Sequence, residues 1–141
     1  IIEFCFGKAE GKTPDERNED PELKDFHFFF DDPEKYVALE GAESFESVLK
    51  RTAAFWEDEI KPLEKTGIQN ILVVTHGGTM QSLLLHIDGR SLKDYWKTKM
   101  ANCTINKIVL ENGCFRLEYT GKVFYSEDKS KKSADGFFSN H

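Results

Sequence analysis

Apolar residues fall into two periodicities along this chain, and the switch between them marks its elements. From Ser44 to about Lys65, the residues Phe45, Val48, Leu49, Thr52, Phe55, Trp56, Ile60 and Leu63 recur at three- and four-residue spacing. That spacing lays one apolar stripe along a helix. Ser44 suits the N-cap, because its hydroxyl can accept from an early backbone N–H. Gly67 suits the left-handed position just past the end. Pro62 lacks an amide hydrogen, so a kink or an end is expected there. After Asn70 the pattern changes: Ile71, Leu72, Val73 and Val74 form an unbroken aliphatic run. Such a run predicts a strand buried on both faces of a parallel sheet. Met80, Leu83, Leu84 and Ile87 return to helical spacing at once, so the unit reads strand, His76-Gly77-Gly78-Thr79, helix.

Residues 91–99 predict a short helix with Leu92, Tyr95 and Trp96 facing inward. Two β-rich runs follow, Cys103 to Leu110 and Cys114 to Tyr119, separated by Glu111-Asn112-Gly113. Asn-Gly is a strong hairpin signal. Residues 7–35 read as polar loop punctuated by Gly7, Gly11, Pro14, Pro21 and Pro33. The aromatic island Phe26, Phe28, Phe29 and Phe30 interrupts that loop, either as core beneath it or as an apolar substrate wall. The expected architecture is α/β, a mostly parallel sheet flanked by helices with a C-terminal antiparallel hairpin. Residues 1–125 form one domain and residues 126–141 a polar, mobile tail too hydrophilic to bury.

With 141 residues, the chain is the size of one domain with one core. Its formal net charge of −6 and the lack of a basic stripe argue against a nucleic-acid partner. No apolar run approaches the roughly 18–20 residues that span a bilayer. No signal-peptide pattern opens the chain, so no membrane partner and a cytoplasmic location are expected. Cys5, Cys103 and Cys114 are too few and too scattered for a disulfide framework or a cysteine-rich zinc site. They read as reduced thiols.

The chemistry concentrates where the aliphatic run meets the next helix. His76 stands at the carboxyl edge of the expected sheet, where open α/β sheets bind ligands. Gly77 and Gly78 carry no Cβ and let the backbone approach a ligand closely. The helix N-terminus behind them favours an anion. A histidine there can donate to a phosphoryl oxygen or titrate near neutral pH; the alternative is a histidine that merely caps the helix. The His-Gly-Gly of esterase oxyanion loops is a poorer fit, since it requires a Gly-x-Ser-x-Gly elbow that this chain lacks. Glu3, at another strand-to-loop junction, is the candidate acid. A carboxyl group beside bound phosphate can stay protonated and donate to a leaving oxygen.

Four segments in order then resemble the histidine phosphatase superfamily, the phosphoglycerate mutase-like proteins. Glu3-Phe4-Cys5-Phe6-Gly7 with Glu10-Gly11 resembles the family's E-x-x-F-G-x-x-E-G segment. Gly41-Ala42-Glu43-Ser44, with Val48 and Arg51, resembles its G-E-S-x-x-x-V-x-x-R helix start, with Ala42 inserted. Val74-Thr75-His76-Gly77-Gly78 is similar to its second-histidine motif, and Asn102-Cys103 with the hairpin matches its ending. The resemblance implies two-step phosphoryl transfer through a phosphohistidine. His76 would stabilise the transferring group, Glu3 would be general acid and base, and Gly77 would offer its N–H. It implies a small phosphorylated metabolite as the partner, no metal and no cofactor; it assigns no oligomeric state. The loop covering the pocket would be residues 12–40.

One part of the pattern is missing. The family's nucleophile lies in an Arg-His-Gly motif, yet Arg17, Arg51, Arg90 and Arg116 are followed by Asn, Thr, Ser and Leu. His27, His86 and His141 are poor substitutes, the phosphate-clamping arginine of an early helix has no counterpart, and residues 126–141 exclude a circular permutation. The chain also opens on Ile1-Ile2-Glu3, already in what reads as the end of a strand. An N-terminal segment ahead of residue 1 is therefore expected to carry the nucleophile. Losing that strand and its helix would leave a parallel strand unpaired and an apolar face uncovered. The expected function of the complete protein is a phosphomonoesterase. Glu3 is followed by Phe-Cys-Phe-Gly and not by the Arg-His-Tyr-Gly of glycolytic mutases, which places mutase chemistry second. A fragment that binds phosphate ligands, or a scaffold without turnover, is the other alternative.

Overall fold

The computed structural model describes residues 1–98 and 100–125, so the expected tail lies outside the described residues. An extended start, Ile1 to Cys5, leads into the segment expected to be loop, which holds two short helices, α1 (Pro14–Glu19) and α2 (Phe28–Asp31). A capping box makes α1: Thr13 Oγ1 accepts from Glu16 N–H, and the Glu16 carboxylate accepts from Thr13 N–H. Thr13-Pro14-Asp15-Glu16 carried that signal in the sequence. The long amphipathic stretch becomes α3 (Phe45–Ala54), with the Ser44 hydroxyl accepting from Ser47 N–H as expected. The chain then widens into a π-helical segment at Phe55–Ile60 and tightens to 3-10 at Lys61–Thr66, around Pro62. Gly67 ends it at φ 82°.

Helix α4 (Gly77–Asp88) packs on α3. Of the helix expected over residues 91–99, the described residues show a 3-10 turn at Leu92–Asp94. Strands β1 (Ile105–Glu111) and β2 (Cys114–Lys122) pair antiparallel, joined at Asn112 and Gly113 with φ of 53° and 74°. Two positive φ values identify the type I′ geometry that Asn-Gly favours.

The expected parallel sheet is not displayed; the only sheet among the described residues is the hairpin. Ile71 to Val74 is extended but unpaired, with Leu72 89% and Val74 74% exposed. A strand buried on both faces needs hydrogen-bonded neighbours, and no described strand runs alongside it. Val73 alone of the four packs against the core. No helix among the described residues is long and apolar enough to cross a membrane.

Two apolar clusters hold the structure. Phe29, 1% exposed, centres the larger one, standing edge-on to Phe4 at 5.1 Å and stacked on Phe45 at 5.0 Å. Phe26 stacks on Phe29 in turn. Phe26 and Phe29 of the aromatic island are thus core, with Phe30 packed against them, and the substrate-wall alternative falls for Phe26 and Phe29. The second cluster joins Trp56, Ile60 and Leu83 to Ile108 and Phe115 of the hairpin. Trp56 Nε1 donates to Leu83 O at 3.0 Å, tying the π-helical segment to α4. Because Phe29 touches so many rings, Phe29→Ala is expected to cost about 3–5 kcal/mol in urea denaturation; a loss under ~1 kcal/mol would show that the ring cluster is not the core.

Candidate active site

The carboxylate of Glu3 lies across the first turn of α4, 75 positions further along the chain. Its Oε2 accepts from Gly78 N–H at 2.9 Å, and its Oε1 accepts from Thr79 N–H at 2.7 Å and the Thr79 hydroxyl at 3.0 Å. Phe4 N–H adds a bond to Oε1 at 3.0 Å. A helix start leaves its first N–H groups without internal acceptors and carries partial positive charge, and a carboxylate answers both. Gly78 is required by this approach. A Cβ there would sit 2.9 Å from Glu3 Oε1 and 3.0 Å from Phe4 Cδ2.

A second network fixes the backbone that bears Glu3. Arg51 holds the Glu43 carboxylate through Nε at 2.8 Å and Nη2 at 3.0 Å. Two further N–H groups donate, Nη1 to Ile2 O at 3.1 Å and Nη2 to Glu3 O at 3.2 Å. Glu43 also accepts from Cys5 N–H at 3.1 Å, and its own N–H donates to Cys5 O. Burial alone would raise the Glu43 pKa, but the Arg51 guanidinium and the Cys5 N–H outweigh it and hold the carboxyl below the usual range. From the other side, Thr75 Oγ1 donates to Ile1 O at 3.0 Å and Thr79 Oγ1 to Ile2 O at 2.7 Å.

Tyr95 supports the helix start from beneath. Its side chain is fully buried, and its hydroxyl donates to Gly78 O at 2.6 Å beside the Ser82 hydroxyl. Burial, with the nearby Glu3 charge, pushes the phenol far above its ordinary pKa, so it stays a neutral donor.

The sequence singled out Glu3, His76 and Gly77, and the structure brings all three to this one helix end. His76 occupies the N-cap position at φ −107°, ψ 169°, yet its ring makes no capping bond and is exposed. Glu3 does the capping, which removes the reading of His76 as a cap. Gly78 and Thr79 N–H are spent on Glu3, and Met80 N–H returns to His76 O at 2.8 Å. The Gly77 N–H has no acceptor among the described residues, so it remains for a ligand beside the His76 ring. Four of the five N–H groups of Arg51 are engaged by Glu43 and two carbonyls, which commits it to the backbone around Glu3. The groove between Ile1–Ile2 and Phe55–Glu59 is not lined by His76. Sequence reasoning missed Thr79 and Tyr95. Thr79 gave one usable signal, a hydroxyl in the helix's first turn; Tyr95 read only as an inward-facing aromatic.

Residues 1–122 match the family described as histidine phosphatase superfamily (branch 1). The chain is 31% identical over 129 residues to "Putative phosphoserine phosphatase 2" of Hydrogenobacter thermophilus, covering 89% of this chain and 59% of that protein. It is 39% identical over 64 residues to "2,3-bisphosphoglycerate-dependent phosphoglycerate mutase 2" of Latilactobacillus sakei, covering 45% of this chain and 28% of that protein. Among solved structures it is similar to Bacillus stearothermophilus YhfR, with a TM-score of 0.74 and 25% identity, covering 86% of this chain and 58% of that one. The chain thus spans less than two thirds of the length of each of these relatives.

Two expectations follow from the geometry. Gly78→Ala displaces Glu3 or Phe4 and is expected to cost about 1–3 kcal/mol; an unchanged urea midpoint would contradict the close approach. Because the Glu43 pKa is depressed in the fold, the stability it contributes is present above the ordinary carboxylate value of 4.5 and lost as pH falls through its folded value. Wild type is therefore expected to exceed Glu43→Gln in stability at pH 7, with the gap closing below about pH 4.5. A gap that is constant with pH would rule out the charged pair as its source.

Proposed function

The chain belongs to the histidine phosphatase superfamily, and from that premise we propose that it carries the acid–base and phosphoryl-stabilising half of a phosphomonoesterase site. The observation that carries the reading is the placement of Glu3 on the same helix start that presents His76 and the unengaged Gly77 N–H. A bound phosphoryl group at that end would meet an imidazole, a backbone donor and the positive end of α4, with a carboxyl group next to its ester oxygen.

The nucleophilic histidine comes, in this proposal, from an N-terminal segment. Its nitrogen attacks phosphorus, the ester P–O bond breaks, and the leaving oxygen takes the proton of Glu3. A water then attacks the phosphohistidine, gives its proton to Glu3, and the P–N bond breaks to release inorganic phosphate. Both histidine and acid are restored. His76 and Gly77 stabilise charge on the non-bridging oxygens in both steps. The exposure of Ile71, Leu72 and Val74, none of them paired in a described strand, supports a strand from that segment pairing there into a parallel sheet.

Hydrolysis is favoured over mutase transfer because Glu3 is followed by Phe4-Cys5-Phe6-Gly7. The relative aligned over 89% of the chain is named as a phosphatase, whereas the mutase relative aligns over 45%. The substrate class is a small phosphate monoester. A phosphate-binding domain without turnover is the competing reading, because capping α4 would by itself explain the bonds Glu3 makes to Gly78 and Thr79.

Incubating the full-length protein with phosphoserine or p-nitrophenyl phosphate is expected to leave acid-labile phosphate on a histidine. His76→Ala is expected to lower kcat about 10²–10³-fold with an unchanged urea midpoint. Retained turnover removes His76 from the site, and absence of both turnover and label favours the binding domain.

A further inference from the structure

The two oxygens of Glu3 are not equivalent. Oε1 receives Thr79 N–H at 2.7 Å, Thr79 Oγ1 at 3.0 Å and Phe4 N–H at 3.0 Å, whereas Oε2 receives Gly78 N–H alone at 2.9 Å. A carboxylate oxygen has about two lone-pair positions, so Oε1 is filled and Oε2 keeps one open. The Thr79 hydroxyl also lies 2.7 Å from Ile2 O, and it has one hydrogen to give. Thr79 is fully buried, so its hydrogen goes to one of these two acceptors and not to water. The hydroxyl must choose between them. It satisfies Oε1 when Glu3 is charged and Ile2 O when Glu3 is neutral.

The geometry points to Thr79 as a positioning residue for proton exchange at Glu3: its N–H and hydroxyl occupy Oε1 and confine the exchangeable proton to Oε2. This inference rests on Glu3 being the general acid. When the ester P–O bond breaks, the leaving oxygen takes the proton from Oε2 and the O–H electron pair stays on Glu3. The Thr79 hydroxyl turns from Ile2 O to Oε1 and meets the new charge. As water attacks in the second step, its proton goes to Oε2 and the hydroxyl turns back. Gly78 N–H steers Oε2 throughout without filling it, and the Cβ-less Gly78 lets the carboxylate sit this close.

Leaving-group dependence of kcat/KM in the full-length protein tests this, because general-acid help matters most for poor leaving groups. Phosphoserine has an alkyl leaving oxygen, and p-nitrophenyl phosphate has one that departs without a proton. Thr79→Val is expected to lose about tenfold more kcat/KM on phosphoserine than on p-nitrophenyl phosphate, the effect of one hydrogen bond to a charged group. Thr79→Ser is expected to restore the wild-type ratio, and Thr79→Ala gives the same comparison with Thr79→Val should valine lower the urea midpoint. Equal losses on both substrates in these variants, with Glu3→Gln still selective against phosphoserine, would overturn the role of Thr79 and leave Glu3 as the acid. Equal losses in Glu3→Gln would instead overturn the acid, and this inference with it.

Discussion

A single carboxylate joins the two ends of this structure. Glu3 arrives on an extended segment whose own hydrogen bonds run to side chains, and α4 begins with N–H groups that its own turns do not satisfy. Each supplies what the other lacks. Placing an anion at a helix N-terminus contributes about 0.3–1 kcal/mol at the surface and up to ~2 kcal/mol when partly buried. More important for function is its location, because the same helix start presents His76 and Gly77. The bonds that hold the first segment to α4 also assemble the candidate site.

Around that contact the supporting residues act from both sides. Arg51, held by Glu43, reaches from α3 to the carbonyls of Ile2 and Glu3, and Thr75 and Thr79 reach from the α4 side to Ile1 and Ile2. Tyr95 braces Gly78 from the core, and Phe4 anchors the segment in the aromatic cluster. An arginine spent in this way is a backbone clamp. In a phosphate-handling family it would be easy to read Arg51 as a ligand for substrate, but four of its five N–H groups are already engaged. The groups proposed to face a phosphoryl oxygen are instead His76, the Gly77 N–H and the start of α4.

Much of this was legible along the chain because it is local. The stripe from Phe45, the caps at Ser44 and Gly67, the kink near Pro62 and the Asn112-Gly113 turn follow from backbone rules acting within a few residues. The motif order pointed to the family, and the structure gives four of its residues particular contacts: Glu3 with the start of α4, Glu43 with Arg51, Arg51 with two carbonyls, and Gly78 with neighbours that leave no room for a Cβ. The aliphatic run Ile71 to Val74 shows where local pattern stops. Its composition reports an environment buried on both faces, and among the described residues no strand supplies that environment.

By itself, then, the sequence determined the elements, the family and the short list Glu3, His76 and Gly77. Only the tertiary structure decided that Glu3 and not His76 caps α4, that Arg51 is committed to Glu43 and the backbone, and that Phe26 and Phe29 are core. It also separated the two oxygens of Glu3 through Thr79. The division has a physical cause. Propensities, caps and turns depend on neighbours in the chain, whereas the partner of a buried charge is set by which distant atoms arrive within about 3 Å, and spacing along a sequence does not encode that.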